Sequence, residues 1–282
     1  MTDAEKEIFG YASSLIGSAG LKLKKERTRS VINVREKTSP MDLVTDHDLA
    51  VEKYLVASIL GKYPGHSIIS EESPARMGAG AGGYTWIIDP IDGTVNYYRF
   101  GRNYAISLAL YKKEEPVFGL IYDVADAQIF SAGDGEGAFL NGSPLPEPPD
   151  DRSGLKQSVV ALSFRTMQEL VGLGMDVLGL LSRVQAHRYL GCASLELCKV
   201  ANGEYDLFIS SNVYEWDVAA ARIFLEQRGG YLLCGNHDAG CAYPGRLLVA
   251  AFRSLPVWEE AFRLFPRCLR DKFAAPVCLA PD

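Results

Sequence analysis

No stretch of about 18 consecutive apolar residues occurs anywhere in the 282 residues, which excludes an ordinary transmembrane helix. Positive charge is not in excess either. The 29 Lys and Arg stand against 35 Asp and Glu, a formal charge of −6, and no basic stripe marks a nucleic-acid surface. Cysteine is sparse: the six residues, at 192, 198, 234, 241, 268 and 278, form no CxxC pair and no Cys/His ladder, which argues against a structural zinc site. The first ten residues hold three acids and none of the apolar core of a secretory signal, so the thiols are expected to be reduced, in the cytoplasm. Internal repeats and low-complexity tracts are missing too. What is present is a composition 48% hydrophobic and 23% charged with a mean hydropathy of zero, the profile of a globular chain long enough for a sizeable core.

Helical and strand periodicities alternate along the chain. Ile8, Ala12, Leu15, Ile16 and Ala19 fall at helical spacing and predict an amphipathic helix over 4–19, followed by a polar stretch to Pro40. Thr45 with Asp48 three residues on is a capping-box start for a second helix, which ends near Gly61. Residues 67–70 read as a buried strand running into Glu71-Glu72, and Trp86-Ile87-Ile88 as another that stops at Asp89-Pro90. Residues 78–83 read as a loop, and 104–111, 117–122 and 128–132 as further strands. Pro and Gly gather among acids over 141–156, which predicts a boundary between an N-terminal α+β lobe, 1–150, and a C-terminal α/β lobe, 151–282. In the second lobe, strands near 158–163, 205–210, 230–234 and 246–251 are interleaved with helices near 166–183, 192–202, 217–228 and 255–265. The mixed order predicts a layered α/β or α+β fold.

Three acidic segments carry the chemistry. Glu71-Glu72 stand at a strand end, Asp89-Pro90-Ile91-Asp92-Gly93-Thr94 ends an apolar strand, and Asp217 lies at the mouth of the alanine-rich helix of Glu215-Trp216-Asp217-Val218-Ala219-Ala220-Ala221. A buried strand ending in two aspartates is costly unless a cation compensates, and Mg²⁺ prefers carboxylate and carbonyl oxygens. Pro90 stiffens the turn, so that the Ile91 side chain can face the core while its carbonyl points at an ion. Gly93 permits close backbone approach, and the amides of Gly93 and Thr94 open a helix start suited to phosphate. Phosphate-binding amides beside a carboxylate cluster point to metal-assisted phosphate-ester hydrolysis. Singly, each piece has a plainer reading: a solvated turn for Glu71-Glu72, a turn for Asp-Gly-Thr, a helix cap for Asp217 or Asp48.

Taken together these residues resemble the inositol monophosphatase family of the lithium-sensitive, Mg²⁺-dependent phosphatases. The likeness takes in Lys37-Thr38-Ser39-Pro40, Asp42-Leu43-Val44-Thr45 with Asp48, Glu71-Glu72, and Trp86 through Thr94. It continues through Phe139-Leu140-Asn141-Gly142, Gly191-Cys192-Ala193, Trp216-Asp217-Val218-Ala219-Ala220 and Gly229-Gly230. The resemblance implies a five-layer αβαβα sandwich, usually dimeric, and a phosphomonoesterase acting on inositol monophosphate or a similar small polyol or sugar phosphate. It implies two or three Mg²⁺ ions per site. Glu71, Asp89 and the Ile91 carbonyl would hold the first, Asp89, Asp92 and Asp217 the second, and Glu71 would face a weaker third. Asp48 and Thr94, assisted by Glu71, would orient and deprotonate the attacking water, while Asp92, Gly93, Thr94, Ala193, Ser210 and Asp217 would contact substrate. Animal members carry a glutamate and a histidine where this chain has Ser210 and Tyr214, which bears on ring recognition. Arg99 and Arg102 beside the site leave room for a second phosphate, so fructose-1,6-bisphosphatase and 3′-phosphoadenosine-5′-phosphate phosphatase are the alternative activities. A catalytically silent regulatory protein would lack a metal carboxylate or the threonine, and here all are present. The implied partners are a small phosphate ester and a second copy of the chain, with no nucleic acid and no membrane.

Overall fold

The computed structural model describes residues 1–29, 31–39, 42–73, 77–78, 83–149, 154–236 and 245–273. Pro40, most of the loop over 78–83, Cys241 and Cys278 lie outside the described residues. In chain order the first half forms α1 (Asp3–Arg29), β1 (Val34–Ser39), β2 (Asp42–Thr45), α2 (Asp46–Lys62), β3 (Ser67–Ser70), β4 (Met77–Gly78), β5 (Tyr84–Asp92), α3 (Thr94–Phe100), β6 (Ala105–Lys112), β7 (Glu115–Asp123), β8 (Gln128–Gly133), β9 (Gly137–Leu140) and β10 (Ser143–Pro144). The second half forms β11 (Val159–Leu162), α4 (Phe164–Gly172), α5 (Val177–Leu181), β12 (Ala186–Arg188), α6 (Ala193–Ala201), β13 (Leu207–Val213), α7 (Glu215–Glu226), β14 (Tyr231–Asn236), β15 (Leu247–Phe252), α8 (Leu255–Arg263) and α9 (Arg267–Phe273).

β1 and β2 pair as a hairpin. An eight-stranded sheet runs in the order β10-β9-β8-β7-β6-β5-β3-β4, and a five-stranded one in the order β12-β11-β13-β15-β14. Both sheets are apolar on both faces, so each must be covered twice. On β6, Ile106, Leu108 and Leu110 pack with α1 and α2, whereas the alternate Ala105, Ala109 and Tyr111 face α6 and α7. On β13, Phe208 and Val213 turn to the same α6 and α7, while Leu207 and Ile209 join α4, α5, α8 and α9 on the outer side. The result is the five-layer αβαβα sandwich, with α6 and α7 as the middle layer between the sheets. The small residues of α7 permit this closeness: a Cβ on Gly119 of β7 would stand 2.3 Å from the Ala220 carbonyl oxygen.

Several elements depart from the sequence reading. α1 continues ten residues beyond 19, to Arg29, because Leu23 stays buried against the sheet and the Lys22 ammonium sits over the Tyr54 ring. The single helix expected over 166–183 is two, α4 and α5, separated at Gly174, whose φ of +85° ends helical geometry. β5 does not stop at Asp89 but runs on to Asp92. The hairpin β1–β2, the short strands β4, β9, β10 and β12, and α9 had too little periodicity to be read.

Candidate active site

The strand that continues past Asp89 does so irregularly, and the irregularity makes the site. Asp89 pairs with Ser107 of β6, and Asp92 pairs with Ala105, so three steps on β5 oppose two on β6. Such a bulge restores the side-chain parity that a three-residue spacing would break, and it turns both aspartates to the face occupied by α6 and α7. Ile91 goes to the opposite face and is fully buried among the α1 and α2 contacts, as its apolar side chain requires. The Ile91 amide donates to Asp89 Oδ1 at 3.0 Å, which fixes the carboxylate within the bulge.

Glu71 arrives by parallel pairing. Ser70 lies beside Ile88, and the Glu71 amide donates to the Ile88 carbonyl at 3.2 Å, so Glu71 comes alongside Asp89. Lys37 of β1 reaches over both acids of the turn, at 2.8 Å from Glu71 Oε1 and 2.6 Å from Glu72 Oε1. Beneath them the buried Glu52 of α2 accepts from the Ser70 hydroxyl, from the Glu72 amide at 3.0 Å and from the Ser73 hydroxyl at 2.7 Å, and so holds the turn from inside.

Asp48 stands at the third position of α2 in the expected capping box. The Thr45 side chain accepts from the His47 and Asp48 amides, and the Thr45 amide donates to Asp48 Oδ2 at 2.8 Å. The Thr45 hydroxyl also bonds Asp48 Oδ2, leaving Oδ1 to receive the Thr94 hydroxyl at 3.1 Å. Thr94 has one hydroxyl proton and a second acceptor in reach, the Ile91 carbonyl at 3.1 Å. Asp217 holds the equivalent position in α7, where its Oδ2 accepts from the Tyr214 amide at 2.7 Å. Asp92 meets the start of α6: Oδ1 accepts from the Ala193 amide at 3.1 Å, and Oδ2 from the Ser194 amide and hydroxyl at 2.6 Å each and from Cys192 Sγ at 3.2 Å.

One carboxylate oxygen from each of Asp89, Asp92 and Asp217 lies within 4.8 Å of the others. Burial pushes the Asp89 carboxyl well above its ordinary range, and the charges of Glu71, Asp92 and Asp217 push it further. Asp217 is held well up by burial and by Asp92 and Glu71, against the Tyr214 amide. Asp92 is raised by burial despite its bonds to α6. Burial, opposed by the Thr45 and Thr94 bonds, lifts Asp48 to about 6, and burial with the Glu71 charge lifts Glu72 to about 7. Burial works to lower the Lys37 pKa, but the charges and bonds of Glu71 and Glu72 outweigh it and hold the ammonium protonated. Crowded, desolvated carboxylates of this kind are stabilised by a bound cation, and the donor set is all oxygen, which suits Mg²⁺.

The remaining substrate candidates stand on separate elements. Gly93, at φ +85°, precedes α3, Ala193 opens α6, and Ser210 is buried on β13 with its hydroxyl accepting from the Asn212 amide at 3.2 Å. Tyr214 stacks on Trp216 with centroids 4.9 Å apart, and Arg246 covers it at 5.9 Å. Arg99 is exposed over the Tyr98 ring at 5.0 Å, and Arg102 is exposed as well. The sequence pattern marks no role for Lys37, Glu52 or Ser194. Lys37 lies inside a recognised motif, and Ser194 follows one, but Glu52 reads as an ordinary polar helix residue until the Ser70–Ser73 turn is placed over it.

A profile of the inositol monophosphatase family matches residues 5–262. The chain is 35% identical over 225 residues to the inositol-1-monophosphatase of Bacillus subtilis (strain 168), which spans 79% of this chain and 84% of that one. It is 35% identical over 237 residues to inositol monophosphatase 1 of Homo sapiens, covering 83% and 85%. The crystal structure of inositol monophosphatase-II from Staphylococcus aureus MSSA476 superposes on 94% of this chain and 95% of its own, with a TM-score of 0.77 and 26% identity.

Proposed function

The chain belongs to the inositol monophosphatase family and is a phosphoric monoester hydrolase, and from that premise we propose that it is a Mg²⁺-dependent enzyme of inositol monophosphate or a similar small polyol phosphate. The observation that carries the reading is the convergence of Asp89, Asp92 and Asp217 within 4.8 Å, beside a Thr94 hydroxyl bonded to Asp48. Glu71, Asp89 and the Ile91 carbonyl would hold one ion in this reading, Asp89, Asp92 and Asp217 a second, and Glu71 would border a weaker third. Mg²⁺ there supplies charge neutralisation for the phosphate and acidifies a water.

The protein's own groups do the rest. Thr94 has a single hydroxyl proton, and with that proton donated to Asp48 the Thr94 oxygen is free to accept from the attacking water. Asp48, sequestered from solvent and anchored by Thr45, takes the proton that leaves that water through Thr94. Gly93 and Thr94 amides border the phosphate, and Ala193 and Ser210 border the leaving group. No helix among the described residues is long and apolar enough to cross a membrane. We further propose a homodimer in the cytoplasm.

Phosphate release in Mg²⁺ from myo-inositol 1-phosphate, fructose 1,6-bisphosphate, 3′-phosphoadenosine 5′-phosphate, β-glycerophosphate and NADP tests this. Preference for the inositol ester is the expected result. Preference for a bisphosphate would replace the substrate class and give Arg99 and Arg102 its second phosphate. Absence of turnover on every ester, with metal bound, would restore the silent regulatory reading.

A further inference from the structure

We propose that Asn96 is a positioning residue: its side-chain amide latches the turn that enters α6 against the start of α3, and thereby sets the distance between the phosphate side of the site and the leaving-group side. The inference rests on the phosphomonoesterase reading above for its substrate terms, but its geometry is independent of it. Asn96 Nδ2 lies 2.8 Å from the Asn103 carbonyl, 2.8 Å from the Leu190 carbonyl and 3.2 Å from that of Gly191. Two amide protons thus face three carbonyl oxygens from two separate segments of the chain, one at Asn103 and one at Leu190 and Gly191. The same carbonyls border Gly93, where a Cβ would stand 3.1 Å from the oxygens of both Asn103 and Gly191 and 3.2 Å from Cys192 Cβ. Gly191, at φ +81°, is in turn packed so that its own Cβ would meet Asn96 Nδ2 at 3.1 Å.

Asn96 therefore sits where the loop of Gly93 and the turn at 190–192 are pressed together. The turn continues directly into the Ala193 and Ser194 amides that bind Asp92. Ser194 holds Asp92 through both its amide and its hydroxyl from within α6, so drift of the turn displaces Ala193 from the leaving group before it frees Asp92. A shift of about 1 Å in such a group is enough to lower kcat/KM severely. A phosphate ester whose leaving group needs no polyol contact depends on the turn far less than inositol 1-phosphate does.

The test compares Asn96→Asp with Asn96→Ala. A packing role makes the alanine worse, because it leaves the larger void, whereas a donor role makes the isosteric aspartate worse, because it sets carboxylate oxygens against three carbonyls. The first readout is alkylation of Cys192 in the folded protein, resolved by peptide mass mapping from the exposed Cys268. Cys192 is 1% exposed in the turn, so its labelling reports the turn opening. The expected result is labelling faster by roughly tenfold or more in Asn96→Asp, and by less in Asn96→Ala. The second readout is kcat/KM on two esters. Asn96→Asp is expected to lose roughly tenfold or more on myo-inositol 1-phosphate, mainly through KM, and under about threefold on p-nitrophenyl phosphate. Unchanged labelling, or equal proportional losses on the two esters, overturns the assignment. If the unaltered protein hydrolyses neither ester in Mg²⁺, the functional reading fails, and the Cys192 labelling alone decides the latch.

Discussion

Asp89 concentrates the chemistry of the site because it is the carboxylate against which Glu71, Asp92 and Asp217 all press. Asp89→Asn removes the charge but keeps the shape. Phosphate release in Mg²⁺ is expected to fall by at least about a hundredfold, while thermal stability without metal holds or rises, since one buried repulsive charge is gone. The metal dependence of stability follows from the same crowding. Mg²⁺ is expected to raise the Tm of the unaltered protein, EDTA to reverse it, and Asn at 89 to blunt the response in a melting curve. Asp89 and Asp92 were legible in the sequence because acids at the end of an apolar strand are costly without a purpose, and Asp217 only through the family resemblance, since an acid at a helix mouth is by itself an ordinary cap. Glu52 was not, since its partners, Ser70, Glu72 and Ser73, come from another element.

The helices carry their signals in their first turns. Thr45→Ala deletes the acceptor for the His47 and Asp48 amides at the start of α2 and the hydroxyl that orients Asp48. Loss of such a cap costs about 1 kcal/mol, and Tm is expected to fall by about 3 °C. Activity measured well below Tm is expected to fall as well, because Asp48 loses the Thr45 hydroxyl that holds it in place to receive Thr94. α1 opens with a similar box, in which the Thr2 amide donates to Glu5 at 2.8 Å and the Glu5 amide to the Thr2 hydroxyl at 3.3 Å. The Thr2 amide, against burial and with the hydroxyls of Thr2 and Tyr84 and the Lys112 charge, lowers Glu5 to about 2. A depressed carboxyl contributes stability that is whole above its unfolded value near 4.5 and disappears as pH falls toward 2. The Tm difference between the unaltered protein and Glu5→Gln is therefore expected to be full at pH 7 and to close between about pH 4.5 and 2. Capping boxes are local, so the α2 start was readable from Thr45 and Asp48. The bulge in β5 was not, because two-against-three pairing exists only once β6 is alongside.

At the scale of the whole molecule, α6 and α7 form the layer that both sheets share. One apolar cluster runs from Ile121 and Phe130 of the large sheet through Leu197 and Phe224 to Phe208 and Val249 of the small one. We propose that the lobes 1–150 and 151–282 consequently unfold together. A single transition in denaturant, with the same midpoint by tryptophan fluorescence and circular dichroism, is the expected outcome, and two separated transitions would show independent lobes. Gly119→Ala probes the contact directly. Its methyl group would enter the Ala220 backbone at 2.3 Å, and neither a sheet strand nor a helix can yield cheaply, so a loss of about 3 kcal/mol in denaturant unfolding is expected.

Hydrophobic alternation and the acidic motifs were enough to establish a layered α/β chain, its family and the residues worth testing. Those signals are carried within a few neighbouring positions, where period, capping and charge leave a local imprint. The order of the strands, the parity that brings Asp89 and Asp92 to one face, the Lys37 bridge and the Asn96 contacts arose only on folding. Each joins groups distant in the chain, and a hydrogen bond or ion pair depends on separations of about 3 Å that sequence spacing does not encode.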